Sequence, residues 1–208
     1  MLEMMLNGGS SLADVVQVAA GSHHSLALKS DGTVVGWGID NYGQASPPSG
    51  LTGVVQIAAG VHHSLALKSD GTVVGWGRTT YGQVTIPSGL TGVVQVAAGF
   101  YHSLALKSDG TVVGWGWSRY GQATIPSGLT GVVQIAAGVH HSLALKSDGT
   151  VVGWGNNTYG QATIPSGLTG VAQIAAGVYH SLALKSDGTV VGWGDNTYGQ
   201  VTIPSGLT

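Results

Sequence analysis

Apolar and polar residues follow one another along this chain in a pattern that recurs. An apolar run over residues 15–21 ends in glycine, and a histidine-led stretch follows, His24-Ser25-Leu26-Ala27-Leu28-Lys29. Alternation at period two puts Leu26 and Leu28 on one face of a strand and Ser25, Ala27 and Lys29 on the other. Ser-Asp-Gly, a strong hairpin signal, then turns the chain into a third run, Thr-Val-Val-Gly-Trp-Gly, rich in β-branched residues. A short variable loop comes next, then Tyr-Gly-Gln and, in most copies, Thr-Ile-Pro. That last segment is expected to form a weaker outer strand, with its proline at an edge or end. Pro-Ser-Gly-Leu-Thr leads into the next copy through a turn. No stretch carries a helical apolar period longer than one turn.

The copies are evenly spaced. Trp37, Trp76, Trp115, Trp154 and Trp193 occupy the same Gly-Trp-Gly triplet every 39 residues, which defines units 15–53, 54–92, 93–131, 132–170 and 171–208. A fixed period in this range signals a repeat architecture. Ser-Ser-Leu-Ala-Asp stands before the first unit where the others are preceded by Ser-Gly-Leu-Thr-Gly, so the register begins near Ser10. Residues 1–9 read as a disordered lead and 10–208 as one domain.

A unit of three or four antiparallel strands cannot cover both of its own faces; neighbours must do so. The expected fold is therefore all-β, a β-propeller of five blades, each a three- to four-stranded antiparallel meander. The small Ala-Ala-Gly residues would let blades crowd around an axis, and each Gly-Trp-Gly tryptophan would wedge between blades. The start and end of the repeat array abut in register, so a closed monomeric ring is expected. The alternative is an open arc completed by oligomerisation.

Composition narrows the function classes. Charged residues are 8% of the chain and the formal net charge is −2, which argues against a nucleic-acid partner, since that needs a clustered basic surface. There is no cysteine, hence no disulfide framework and no thiolate metal site. No segment approaches the roughly 20 apolar residues of a membrane-spanning helix, and no signal-peptide pattern is present. The chain reads as soluble, with its compartment open.

The compound motif AAGxxHSLALKSDGTVVGWGxxxYGQ resembles the repeat of the regulator of chromosome condensation superfamily. The short unit, with its Thr-Ile-Pro segment and tight linker, is most similar to the propeller-type β-lactamase inhibitor proteins of bacteria. The resemblance covers nearly the whole chain and implies the propeller fold. Those relatives have seven blades, and this chain has five units. In the inhibitors, aromatic loop residues on one propeller face grip the enzyme, which implies that the corresponding face matters here.

Topology points to the same face independently. Alternate connections of a meander lie at opposite ends, so the loops after Ala-Ala-Gly and after Gly-Trp-Gly share one rim. The invariant Ser-Asp-Gly turns and the linkers share the other. Nearly all variation falls on the first rim. The third unit places Phe100, Tyr101, Trp117 and Arg119 there, including the only Phe and the only Trp outside Gly-Trp-Gly. Arg78, the other arginine, belongs to the neighbouring unit. Aromatic residues and Arg dominate binding hot spots, so these five, with His62, His140 and Tyr179 at equivalent positions, are the candidate partner-binding residues. Neutral drift is the competing reading for the polar loop triplets of the fourth and fifth units.

The remaining chemistry is sparse. His24, His63, His102, His141 and His180 each head a strand, which suits a packed, hydrogen-bonded scaffold role better than metal ligation. The five turn aspartates are explained by hairpin geometry. No paired carboxylates, nucleophile elbow or phosphate loop occurs. The expectation is a non-enzymatic protein-binding propeller without a cofactor or metal. The alternatives are a multivalent, lectin-like small-ligand binder and a structural or engineered repeat scaffold.

Overall fold

The computed structural model describes residues 14–207, so the lead at 1–9 lies outside the described residues. Five three-stranded antiparallel sheets follow one another. In the first blade these are β1 (Val15–Ala20), β2 (His24–Lys29) and β3 (Val34–Gly38); in the second, β4 (Val54–Ala59), β5 (His63–Lys68) and β6 (Val73–Gly77). Blades 3 to 5 repeat the order. Within a blade the middle strand pairs with both others: Ser25 lies opposite Ala20 on one side and Trp37 on the other. A bulge at Val16 and its equivalents bends the start of each inner strand. At the Ser-Asp-Gly turn, the Asp31 carboxylate accepts the Thr33 amide and Gly32 takes φ +77°, a backbone state that favours glycine.

The expected fourth strand is not formed. The Tyr-Gly-Gln segment forms a turn outside the sheet, and Thr-Ile-Pro runs irregularly from it into the next turn; the two turns are closed by bonds such as Thr85 N–H to the Gly82 carbonyl and Leu90 N–H to the Pro87 carbonyl. Their proline has no N–H to give to a ladder, and β3 and its equivalents remain the outer strands of their sheets.

Blade packing follows from the strand pattern. The leucine face of blade 1 (Leu26, Leu28) meets Val54, Ile57, Ala66 and Trp76 of blade 2. The same set recurs between blades 2 and 3, 3 and 4, and 4 and 5. Polar bonds lock each junction. The Gln56 side chain donates to the Val96 carbonyl and accepts the Val96 amide, so it acts as one rung of a ladder between inner strands. His63 Nε2 meets Ser103 Oγ at 2.9 Å, and the Gln83 carbonyl accepts both Ser103 Oγ–H and Trp115 Nε1–H. The histidines are thus scaffold groups. Burial pushes the His63 and His102 imidazoles down to about 3 and His141 to about 4.

The Ala-Ala-Gly segments of all five blades line one central funnel of about 210 Å³, which places the blades around a shared axis. A side chain on Gly99 would collide with the His102 ring and the Gly138 carbonyl of the next blade, so crowding at the axis requires glycine there. The closed ring expected from the sequence is not formed among the described residues. Trp76, Trp115, Trp154 and Trp193 are 7–8% exposed, whereas Trp37 is 52% exposed. Val15, Val18 and Trp37 of blade 1 and Leu184 of blade 5 stay exposed where the equivalent residues of the interior blades are buried, so blade 1 and blade 5 each keep one face uncovered.

Candidate functional site

The two variable loops of each blade are fastened together. Arg78 N–H donates to the His62 carbonyl, Trp117 N–H to Tyr101 and Asn156 N–H to His140. The invariant turns join the linkers instead, as where Ser69 N–H reaches the Gly53 carbonyl. Variable and invariant loops therefore occupy opposite rims, as the meander argument requires.

On the variable rim, blades 1 to 4 bring their aromatic side chains into one continuous patch. His62 stacks on Tyr101 at 5.7 Å and touches Tyr42 and Phe100 edge-on. Phe100 and Tyr101 lie 3.9 Å apart. His140 bridges Phe100 and Trp117, each at 5.2 Å, so these two face the same rim. Arg78 lies over the rings of Tyr42, Tyr81 and Tyr101 at 4.9, 5.8 and 5.1 Å, and its Nη1 donates to the Tyr101 hydroxyl at 3.0 Å. Such guanidinium–ring contacts hold the side chain in place without neutralising it. No carboxylate pairs with Arg78 among the described residues. His62 is held below its ordinary pKa by burial and by the Arg78 charge, and His140 by burial. At neutral pH the patch is therefore aromatic, with uncharged imidazoles and a fixed cation.

Of the sequence candidates, Phe100, Tyr101, Trp117, Arg78, His62 and His140 converge. Tyr179 does not join them; it packs on Tyr159 at 5.1 Å in a separate pair. Arg119 is exposed and makes none of the patch's ring or hydrogen-bond contacts. Sequence reasoning missed Tyr42, Tyr81 and Tyr120. They belong to the invariant Tyr-Gly-Gln, which invariance assigned to the scaffold, yet each directly follows a variable triplet and shares its rim.

The first position of that triplet separates the blades further. Asn156 and Asp195 accept the side-chain N–H of their own Gln161 and Gln200 at 2.9 and 3.0 Å. Ile39, Arg78 and Trp117 take that position in blades 1 to 3. There the buried Gln44, Gln83 and Gln122 Nε2 atoms have no partner. Leaving such a donor unpaired costs about 1–3 kcal/mol. The polar triplets of blades 4 and 5 thus serve their own loops, whereas Arg78 and Trp117 reach across to neighbouring loops at a cost in stability.

A family model described as the regulator of chromosome condensation (RCC1) repeat matches residues 15–44, 54–83, 93–122, 132–161 and 171–200. Among solved structures, human WBSCR16 is similar at 25% identity and TM-score 0.74, over 88% of this chain and 62% of that one. Yeast RCC1 (Prp20), solved bound to Kap60, is similar at 26% identity and TM-score 0.75, over 88% of this chain and 56% of that one. Prp20p of Saccharomyces cerevisiae, described with its binding properties to Gsp1p and histones, gives 25% and 0.74, over 86% and 58%. The chain thus spans little more than half the length of these proteins.

Proposed function

Because the chain belongs to the regulator of chromosome condensation repeat family, we propose that it is a non-enzymatic protein-binding propeller whose partner seats on the aromatic patch of the variable rim. The observation that carries this reading is the pattern of unpaired glutamine donors. Three blades forgo an internal hydrogen bond where their loops present Ile39, Arg78 and Trp117, and two keep it where their loops are polar. Local structure given up at a half-exposed aromatic cluster points to a site under functional demand. Arg78, held by rings and without a carboxylate partner, suits an acidic side chain of the partner within an otherwise aromatic contact. Protein partners fit the solved relatives, since yeast RCC1 (Prp20) was solved bound to Kap60. The low charge of the chain favours a protein over a nucleic acid. The similarity of its repeat to the β-lactamase inhibitors makes a β-lactamase the first enzyme to assay.

The test is affinity capture with three proteins: the unaltered chain, the double variant Tyr101→Ala/Trp117→Ala, and an opposite-rim variant Lys107→Ala. The unaltered chain and Lys107→Ala should retain the same bound protein, and the double variant should lose it while its circular dichroism spectrum stays that of the parent. Capture unchanged in the double variant, or lost only in Lys107→Ala, removes the assignment.

A further inference from the structure

The two uncovered blade faces are complementary halves of a junction that the chain already makes four times. Blade 1 presents Trp37, Val15 and Val18, the last 70% exposed, where blade 2 buries Trp76, Val54 and Ile57 at 7% or less. Blade 5 presents Leu184 at 36% exposure, where Leu28 and Leu67 are at 2–3%. That face holds a cleft of about 230 Å³ whose lining includes Ala175, Leu182, Leu184 and Val190, equivalents of the residues that receive a tryptophan-bearing face elsewhere. The polar groups match as well. At the interior junctions a glutamine rung, a histidine–serine bond and a tryptophan–carbonyl bond cross from blade to blade. Gln173, His180 and Trp37 do not make these bonds among the described residues.

We propose that these faces are a matched pair of association surfaces, and that the occupant of each is the opposite face of a second copy of this chain. Continuity with the interior junctions supplies the register. Trp37 and Ser25 of one copy meet the Gln200 carbonyl of the other, His180 Nε2 meets that Ser25 hydroxyl, and Gln173 takes the rung on the Val18 backbone. The interface is head-to-tail, so copies add in one direction until the assembly meets itself. It contains no ion pair, so association is insensitive to salt. The inference is independent of the rim patch, which lies on the loops and not on the blade faces.

Sedimentation velocity of the full chain over a concentration series tests this, alongside Trp37→Glu and Leu184→Glu. Both substitutions sit on exposed positions, and circular dichroism checks that each variant is folded. The unaltered chain should move from 20.9 kDa to multiples of it as concentration rises. Each variant alone should remain a single chain, because each lacks one half of the contact. An equimolar mixture of the two should form a capped dimer, because Trp37→Glu retains the blade 5 face and Leu184→Glu the blade 1 face. Three results overturn the proposal. One is a single chain at every concentration, whether the ends meet each other or the lead covers them. Another is association that survives both substitutions. The last is a mixture that stays monomeric although the unaltered chain associates.

Discussion

Acidification from pH 7 to pH 5 should destabilise this fold through its buried imidazoles. His63, His102 and His141 are fully buried, each with Nε2 on a serine of the next blade and Nδ1 without a partner. Burial holds their pKa values at about 3, 3 and 4, against 6.5 when exposed. Between those limits the unfolded chain binds more protons than the folded one, so stability rises with pH across the window and is lost as pH falls below 6.5. At pH 5 the unfolded imidazole is 1.5 pH units below its pKa, which costs about 2 kcal/mol per residue, or about 6 kcal/mol for the three. That is comparable with the whole stability of many domains, about 5–15 kcal/mol. The turn aspartates do not confuse the result. Their folded pKa values are lowered below 3.8, first by the Thr hydroxyl hydrogen bond in four of them and by Lys185 at Asp187, so their contribution is lost only below this window. Urea unfolding at pH 7, 6 and 5 reads the slope. Replacing His102 with Gln should remove the share of one buried imidazole, about 2 kcal/mol between pH 7 and pH 5. Unfolding midpoints that coincide at pH 7 and pH 5 would refute the buried, neutral assignment.

Two further predictions use one blade as the control for another. Trp76→Ala should cost about 3–5 kcal/mol, because its ring fills the junction between blades 1 and 2. Trp37→Ala, at the equivalent but uncovered position, should change stability by about 0.5 kcal/mol or less in dilute solution; chemical denaturation of both variants compares them, and equal losses contradict the open end. Ile39→Asn should raise stability by about 1 kcal/mol, because the new side chain reproduces the acceptor that Asn156 offers to Gln161 and so engages Gln44 Nε2. A fall in melting temperature shows that Gln44 is not the group at stake.

Much of the architecture was legible in the residues. Period-two alternation placed β2, Asp-Gly placed the turn, and the spacing of the tryptophans gave the blades. The rim that varies was legible too, because a meander fixes which loops share an end. Closure was not. The sequence ends abut in register, but whether five blades complete a turn depends on the rotation at each junction, a sum of axial glycine contacts and tryptophan packing that no local pattern reveals. The outer strand was misread because Thr-Ile-Pro has β-prone residues whose proline ends any ladder. At the patch, Phe100, Trp117 and Arg78 stood out by rarity. Tyr42, Tyr81 and Tyr120 were hidden by being invariant: they combine a scaffold position with a surface ring. Tyr179 shared its loop position with Tyr101, but blade 4 supplies Tyr159 for it to pack on, and the two stay apart from the patch.

The account turns on which rim meets the partner, and hydrogen–deuterium exchange of the chain with and without its captured protein reads that directly. Slowed exchange should fall on the loops around residues 61–62, 78–81, 100–101 and 117–120, with the Ser-Asp-Gly turns unchanged. Protection confined to those turns and the linkers would place the partner on the invariant rim and contradict the account.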